Sequence, residues 1–360
     1  MRSKIETKHK FPYEWTLKDA NFTKDKGTVF SCFACGGGSS FGYKLAGFDV
    51  LGCNEIDPKM IEAYKVNHKP KYAYLEPIQT FKLRKDLPKE LYNLDILDGS
   101  PPCSSFSMAG NREKDWGKEK KFREGQTEQV LDNLFFDFID LAKELQPKVV
   151  VAENVKGLLL GNAKAYVRKI YKQFDKAGYY CQHWLLDASK MGVPQRRERV
   201  FFVCLRKDLV EPFLYQQDMF TVNPKLELNF NEPKIKFRDF CDEKDLQTKE
   251  GTIVSDYWYK VQEGQSFSKA HEKGSYFGDY KEHLDKPLQT IIAEPNHGGW
   301  HPYIKRMLNT KELCNGGTYA EDYNFCKLKP KYLIGMSVPP VMTAQIATKI
   351  YEQWLSKLNK

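Results

Sequence analysis

The chain of 360 residues has no run of 18 apolar residues, so no membrane-spanning helix is expected. Residues 1–10 carry no apolar core, so a secretory leader is not expected either. Nine cysteines, an odd number, suit a reduced intracellular chain better than a disulfide framework. Cys32 and Cys35 form a CxxC, but no second CxxC completes a zinc set, and no metal is assigned. Neither GxGxxG nor a Walker Gly-Lys-Ser/Thr occurs, which removes the two commonest nucleotide fingerprints. There is no internal repeat and no low-complexity tract. What remains is a globular composition, 41% hydrophobic and 29% charged, with enough aromatics to exclude global disorder. The net charge of +9 favours a polyanionic partner. The length allows two domains.

The informative stretch runs from Asp95 to Ser107. Leu94 to Leu97 reads as a short buried strand, which Asp98-Gly-Ser-Pro-Pro102 then breaks. Cys103 follows on a loop past the strand's carboxyl end, where open parallel sheets place their chemistry. Pro101 and Pro102 cannot continue a central strand, so they stiffen the approach to the thiol. On this pattern alone Cys103 is either a nucleophile or a small buried residue.

Upstream, a first strand over 28–33 runs into the glycine-rich turn Phe33 to Gly42 and a helical stretch to Ala46. Consecutive glycines let a ligand approach the backbone and expose amides at a helix start. A second strand, 49–53, ends near Glu55, about 20 residues beyond the turn, where nucleotide-binding sheets hold ribose hydroxyls. Asp57-Pro58 also suits a helix start. A weak strand is expected over 72–81 and an amphipathic helix over 126–145, with Val130 and Leu134 among its core-facing residues. The loop Ser104 to Gly125 carries Arg112 and several lysines, and reads either as a closing lid or as a solvated connection. A very apolar strand from Lys148 to Ala152 delivers Glu153-Asn154-Val155. A helix over 163–176 and a strand over 180–186 follow. Gln195, Arg197 and Arg199 then lead into a strand over 200–204, with the two arginines expected on one face. Residues 1–27 read as an arm docked on the main domain, with Phe11, Tyr13 and Trp15 as anchors.

After residue 206 regular alternation fades, and turns, aromatics and lysines dominate to about 325. Such loops suit nucleic-acid contacts and equally a small aromatic core. An amphipathic helix over 341–358 closes the chain, with Ile346, Ile350 and Trp354 on one face.

In this order the motifs resemble those of the DNA (cytosine-5) methyltransferases along nearly the whole chain. The turn at 33–42 resembles their cofactor motif, and Glu55 their ribose-binding acid. Pro101-Pro102-Cys103 resembles the nucleophile motif, Glu153-Asn154-Val155 the ENV motif, and Gln195-x-Arg197-x-Arg199 the QxRxR motif. Arg306 to Leu313 and Gly335-Met336-Ser337-Val338 resemble the last two motifs. Departures fall at Cys35 for the usual Gly, Ile56 for Trp, Pro77 for an adenine-binding Asp and Met336 for Asn, all bearing on the cofactor.

The resemblance implies an α/β fold: a Rossmann-like methyltransferase sheet with helices on both faces, plus a smaller irregular target-recognition domain. The expected division is 1–205, completed by 330–360, against 206–325. It implies methyl transfer from S-adenosyl-L-methionine to carbon 5 of a flipped cytosine in double-stranded DNA. The catalytic set would be Cys103, Glu153, Arg197 and Arg199. The cofactor set would be Phe33, Cys35, Gly37, Gly38, Glu55, Ile56, Ile78, Ser100, Pro102, Leu134, Ser337 and Val338. Ser104, Arg112, Gln195 and Arg306 would meet DNA. A thiolate adding to carbon 6 makes carbon 5 nucleophilic, and Glu153 would protonate the ring at nitrogen 3. Further expectations are a monomer, a cytoplasmic prokaryotic or phage-encoded setting and a cognate restriction endonuclease. An RNA (tRNA) cytosine-5 methyltransferase of the same fold is the alternative, which the long recognition region disfavours.

Overall fold

The computed structural model describes residues 9–102, 119–120, 129–130, 133–160, 163–216, 222–245, 251–276, 278–294 and 296–358. They fall into two compact units, each assembled from separate stretches of chain.

The larger unit comprises Phe22–Leu186, Glu198–Asn229 and Gln345–Lys360. Its centre is a seven-stranded sheet: β1 (Thr28–Cys32), β2 (Asp49–Glu55), β3 (Tyr72–Leu75), β4 (Ile96–Gly99), β5 (Val149–Val155), β6 (Tyr179–Asp187) and β7 (Glu198–Arg206). The spatial order is β3-β2-β1-β4-β5-β7-β6. The first five of these pair in parallel, and β7 runs antiparallel to β5. The apolar run of β5, Val149 to Ala152, is what a strand covered on both faces requires. Helices α1 (Gly38–Leu45), α2 (Pro58–His68), α3 (Leu134–Leu145) and α4 (Ala163–Lys176) connect the strands. Asp57 caps α2 by accepting from the amides of Lys59 and Met60, and Pro58 fills its first position. Phe135, Phe138 and Leu141 of α3 are sealed with Phe30, Leu97, Val150 and Phe202 in one apolar cluster. The register sets the site. Cys32 lies opposite both Asn54 and Gly99, and Gly99 opposite Ala152, so the loops after β1, β2, β4 and β5 leave one end of the sheet.

Several element boundaries differ from expectation. The stretch 72–81 is β3 followed by a short helix, Ile78–Phe81, capped by Pro77. α3 starts at Leu134 rather than 126, and Val130 is not on it: residues 129–130 pair with 119–120 as a two-residue ladder. The final helix runs Pro340–Ile350, then a π-helical turn Tyr351–Leu355 and a last turn Ser356–Leu358. Ile346, Ile350 and Trp354 are buried along it.

The smaller unit comprises Met1–Asn21, Asp187–Arg197 and Phe230–Ala344. Val261, Phe267 and Trp300 form a buried apolar core in it, with Tyr257, Trp258, Tyr276 and Met307 packed on it. Much of the aromatic content of this region is therefore core. Asp279 holds that core through bonds from Trp300 Nε1 at 3.0 Å and the Gly298 amide at 3.2 Å. The unit also carries the helices α5 (Thr310–Gly317) and α6 (Pro330–Met336).

The boundaries of the two units do not follow the expected division at 205, 325 and 330. The N-terminal arm belongs to the smaller unit: Trp15 Nε1 donates to the Thr318 carbonyl at 2.9 Å, and Asp322 accepts from the Leu17 and Lys18 amides. Residues 330–344 belong to it too, and only 345–360 returns to the sheet. Packing explains the second difference, since a side chain at Gly335 would run into the backbone of Ile292 and Ala293.

Candidate active site

At the shared end of the strands, the turn after β1 takes a demanding path. Phe33 and Cys35 both adopt left-handed backbone, with φ of 52° and 47°, and Gly37 follows at 87°. Only glycine takes such angles without strain, and a side chain at Gly37 would strike the ring of His68. The turn closes with the Gly37 amide donating to the Ala34 carbonyl at 2.8 Å, and Gly38 opens α1 without a side-chain cap. A helix start without a side-chain cap leaves its first amides able to meet an anion.

Glu55, at the end of β2, is 6% exposed. Its Oε1 accepts from the Ile56 and Asp57 amides at 2.8 and 2.9 Å, and its Oε2 from the Cys35 amide at 2.8 Å. Burial raises its pKa, and the three amides pull it back down. A carboxylate offers about four acceptor positions, so one on Oε2 remains for a hydroxyl donor. That vacancy, the uncapped helix start and the left-handed turn fit the ribose and carboxylate of an adenosyl amino acid.

Around it, Ile78 is buried at the start of its short helix, and Ser100 and Pro102 are half-buried. Leu134, 2% exposed, lies with Ile78 in the same apolar cluster. Ser337 and Val338 lie in the smaller unit and are buried, with Ser337 Oγ donating to the Leu333 carbonyl.

Glu153 stands one residue beyond Ala152 on β5, and its Oε1 is 2.9 Å from Arg199 Nε. Asn154 beside it donates from Nδ2 to the Pro101 carbonyl at 3.2 Å, tying the proline segment to β5. Cys103, Ser104 and Arg112 lie outside the described residues, as does nearly all of the expected lid over 104–125.

The remaining sequence assignments move. Arg197 and Arg199 do not share a strand face, because β7 begins at Glu198. Arg197 is 3% exposed, and its guanidinium donates to the carbonyls of Ile291, Gly335 and Ser337 at 3.2, 3.0 and 2.8 Å. Gln195, expected at DNA, is 1% exposed; it donates to the Gly316 carbonyl and accepts from the Ile291 amide. Arg306, also expected at DNA, is 4% exposed and has all its donors engaged, by Glu312 at 2.7 and 3.0 Å and by the carbonyls of Asp242, Asp245 and Met307. A planar fork spent on a carboxylate and three carbonyls has nothing left for a base. Asp98 and Asn154 were not among the expected site residues. A charged residue inside an apolar strand was the available signal for Asp98.

Among the described residues one cluster has metal-ligating types, Cys241, His301 and Glu312. It does not suit a cation. Glu312 is spent on Arg306. His301 Nδ1 accepts from the Tyr303 and Ile304 amides, so the ring proton sits on Nε2, which faces Cys241 Sγ at 3.0 Å. Burial holds that thiol up at about 12 and the imidazole down at about 4.

A family model for the C-5 cytosine-specific DNA methylase matches residues 27–352. The type II methyltransferase M.FnuDI of Fusobacterium nucleatum is 38% identical over 181 residues, 50% of this chain and 47% of that protein. The type II methyltransferase M.NgoPII of Neisseria gonorrhoeae is 33% identical, again over about half of each. The chain thus aligns with about half the length of these relatives. M.Bsp6I of a Bacillus species is 27% identical over 91% of this chain and 99% of that protein. In fold, the crystal structure of a DNA modification methyltransferase from an E. coli prophage aligns with a TM-score of 0.65 at 20% identity, over 92% of this chain and 99% of the other. Spodoptera frugiperda DNMT2 aligns at 0.57 and 19%, over 93% and 100%. With a family match that runs from the strand before the glycine turn into the closing helix, the chain belongs to the C-5 cytosine-specific DNA methylases.

Proposed function

We propose that the protein transfers a methyl group from S-adenosyl-L-methionine to carbon 5 of a flipped cytosine within a defined duplex DNA sequence. The observation that carries this is the Glu153–Arg199 ion pair at the sheet end where Gly99 to Pro102 leads to Cys103, in a chain of this family. Bound there, the cofactor supplies an electrophilic methyl group. Glu55 would hold its ribose, and the turn from Phe33 to Gly38 its amino-acid end.

Cys103, as thiolate, would add to carbon 6 of the base, and Glu153 would hold and protonate nitrogen 3. Arg199 orients Glu153 and would meet the base carbonyl. After methylation carbon 5 loses its proton to a base, and the thiolate leaves. A cytosine within a duplex cannot reach a thiol, so it must be flipped out. The smaller unit would read the flanking sequence. Tyr259 and Tyr303, 70% and 62% exposed, are its most accessible large aromatics among the described residues, and Lys305 lies over the Tyr259 ring. The relatives M.FnuDI and M.Bsp6I are type II methyltransferases, which supports a restriction-modification setting with a cognate endonuclease.

Labelled-methyl transfer to duplex DNA and to tRNA in parallel tests the reading, with transfer to duplex expected. Preference for tRNA would overturn it. Duplex carrying 5-fluorocytosine should form a covalent adduct that Cys103→Ala abolishes.

A further inference from the structure

Asp98 lies on β4, directly before the segment that leads to Cys103, and is 3% exposed. Its Oδ2 accepts from Ser31 Oγ at 2.7 Å and its Oδ1 from the Tyr43 hydroxyl at 3.1 Å. Ser31 stands opposite Asp98 in the β1–β4 register, one residue from the end of β1, and Tyr43 is on α1. The carboxyl therefore joins three elements: the strand behind the nucleophile, the strand before the glycine turn and the helix after it. Among the described residues no cation pairs with it. Burying a carboxylate on two neutral hydroxyls is costly, and a plain structural link would be served by a neutral side chain.

We infer that Asp98 is a positioning residue whose ionised carboxylate couples the cofactor turn to the approach of Cys103. The inference rests on the methyl-transfer reading above. As an anion Asp98 accepts from both hydroxyls at once. Protonated, it must donate from one oxygen, and a hydroxyl there has to turn away. The groups facing it are Cys32 on β1, Tyr43 on α1, Tyr64 on α2 and Glu153 on β5. Burial keeps the thiol and the two phenols neutral. Burial pushes Asp98 up to about 7; the two hydroxyls oppose this and Glu153 adds to it. The link thus forms and weakens around neutral pH.

The test is steady-state methylation of duplex DNA between pH 5.5 and 9, with kcat and the KM for S-adenosylmethionine read separately. Wild-type kcat is expected to rise through a step near pH 7. Asp98→Asn should abolish the step and lower kcat about tenfold, with KM changed less than about threefold, because orientation rather than binding is lost. Tyr43→Phe removes one donor to the anion and should move the step up by roughly half to one unit. A step that persists in Asp98→Asn, or stays in place in Tyr43→Phe, overturns the inference. Tyr43→Phe decides alone if Asp98→Asn fails to fold. Absence of any DNA methylation by the wild type would strike the functional reading instead.

Discussion

Glu153 Oε1 and Arg199 Nε meet at 2.9 Å across the antiparallel pairing of β5 and β7. The two side chains are 12% and 16% exposed, so the pair is shielded yet reachable from the end of the sheet. Held by Nε, the carboxyl keeps a fixed direction. Burial pulls the arginine's pKa down and the carboxylate beside it pulls it back up. Glu153→Gln should lower kcat by about 10²–10⁴, the usual worth of a positioned acid. Arg199→Ala should cost about 10², and Arg199→Lys should recover little, since an ammonium cannot reproduce the side-on contact. Labelled-methyl transfer at saturating cofactor and DNA checks this, with thermal unfolding as the folding control.

Arg197 is expected to behave differently despite its place in the same motif. Replacing it with Met strands the carbonyls of Ile291, Gly335 and Ser337 in a buried setting. The expected loss is roughly 3–5 kcal/mol of stability in the smaller unit, with Arg197→Lys recovering part of it. Urea unfolding followed by tryptophan fluorescence measures it. A large fall in kcat with unchanged stability would place Arg197 in the chemistry after all.

Glu282 carries a pH dependence of stability. It is 2% exposed, and burial pushes its pKa up to about 8, opposed by the Gln289 amide. Unfolded, a glutamate titrates near 4.3. Between about 4.3 and 8 the folded state keeps a proton that the unfolded state has lost, so stability falls as pH rises through this window. Glu282→Gln should therefore stabilise by roughly 2–4 kcal/mol at pH 8.5 and by almost nothing at pH 4.5. Denaturant midpoints at the two pH values decide it, and equal shifts at both would refute the assignment.

Cys35 occupies left-handed backbone at φ 47°, which glycine adopts without strain. Cys35→Gly should relieve about 1 kcal/mol of strain and raise the thermal midpoint of the larger unit by roughly 2 °C. The Cys35 amide still reaches Glu55, so cofactor affinity measured by calorimetry should hold or tighten.

The parallel core was legible because β1, β2, β4 and β5 carry short apolar runs, of which β2 ends in an acid and β4 in glycine. The places of Glu55 and Glu153 were legible likewise, as polar residues where the apolar run of a buried strand stops. The roles of Gln195, Arg197 and Arg306 were not. A polar side chain in a motif shows that a strong partner exists, but not whether the partner is a base or a distant carbonyl such as those of Gly316 and Gly335. The division of the chain was hidden likewise. Trp15 donates to the carbonyl of Thr318 and accepts from the amide of Glu321, some three hundred positions away, and local pattern carries no trace of such bonds.

The stitching of the smaller unit from Met1–Asn21, Asp187–Arg197 and Phe230–Ala344 has an evolutionary consequence. It cannot pass between relatives as one genetic cassette. A recombinant that imports only the long segment brings the carbonyls of Ile291, Gly316 and Gly335 without their keepers. The recipient chain must already hold a glutamine at 195 and an arginine at 197. Exchange of this unit is thereby confined to partners sharing those two side chains, which makes the QxR half of the motif a compatibility key for shuffling.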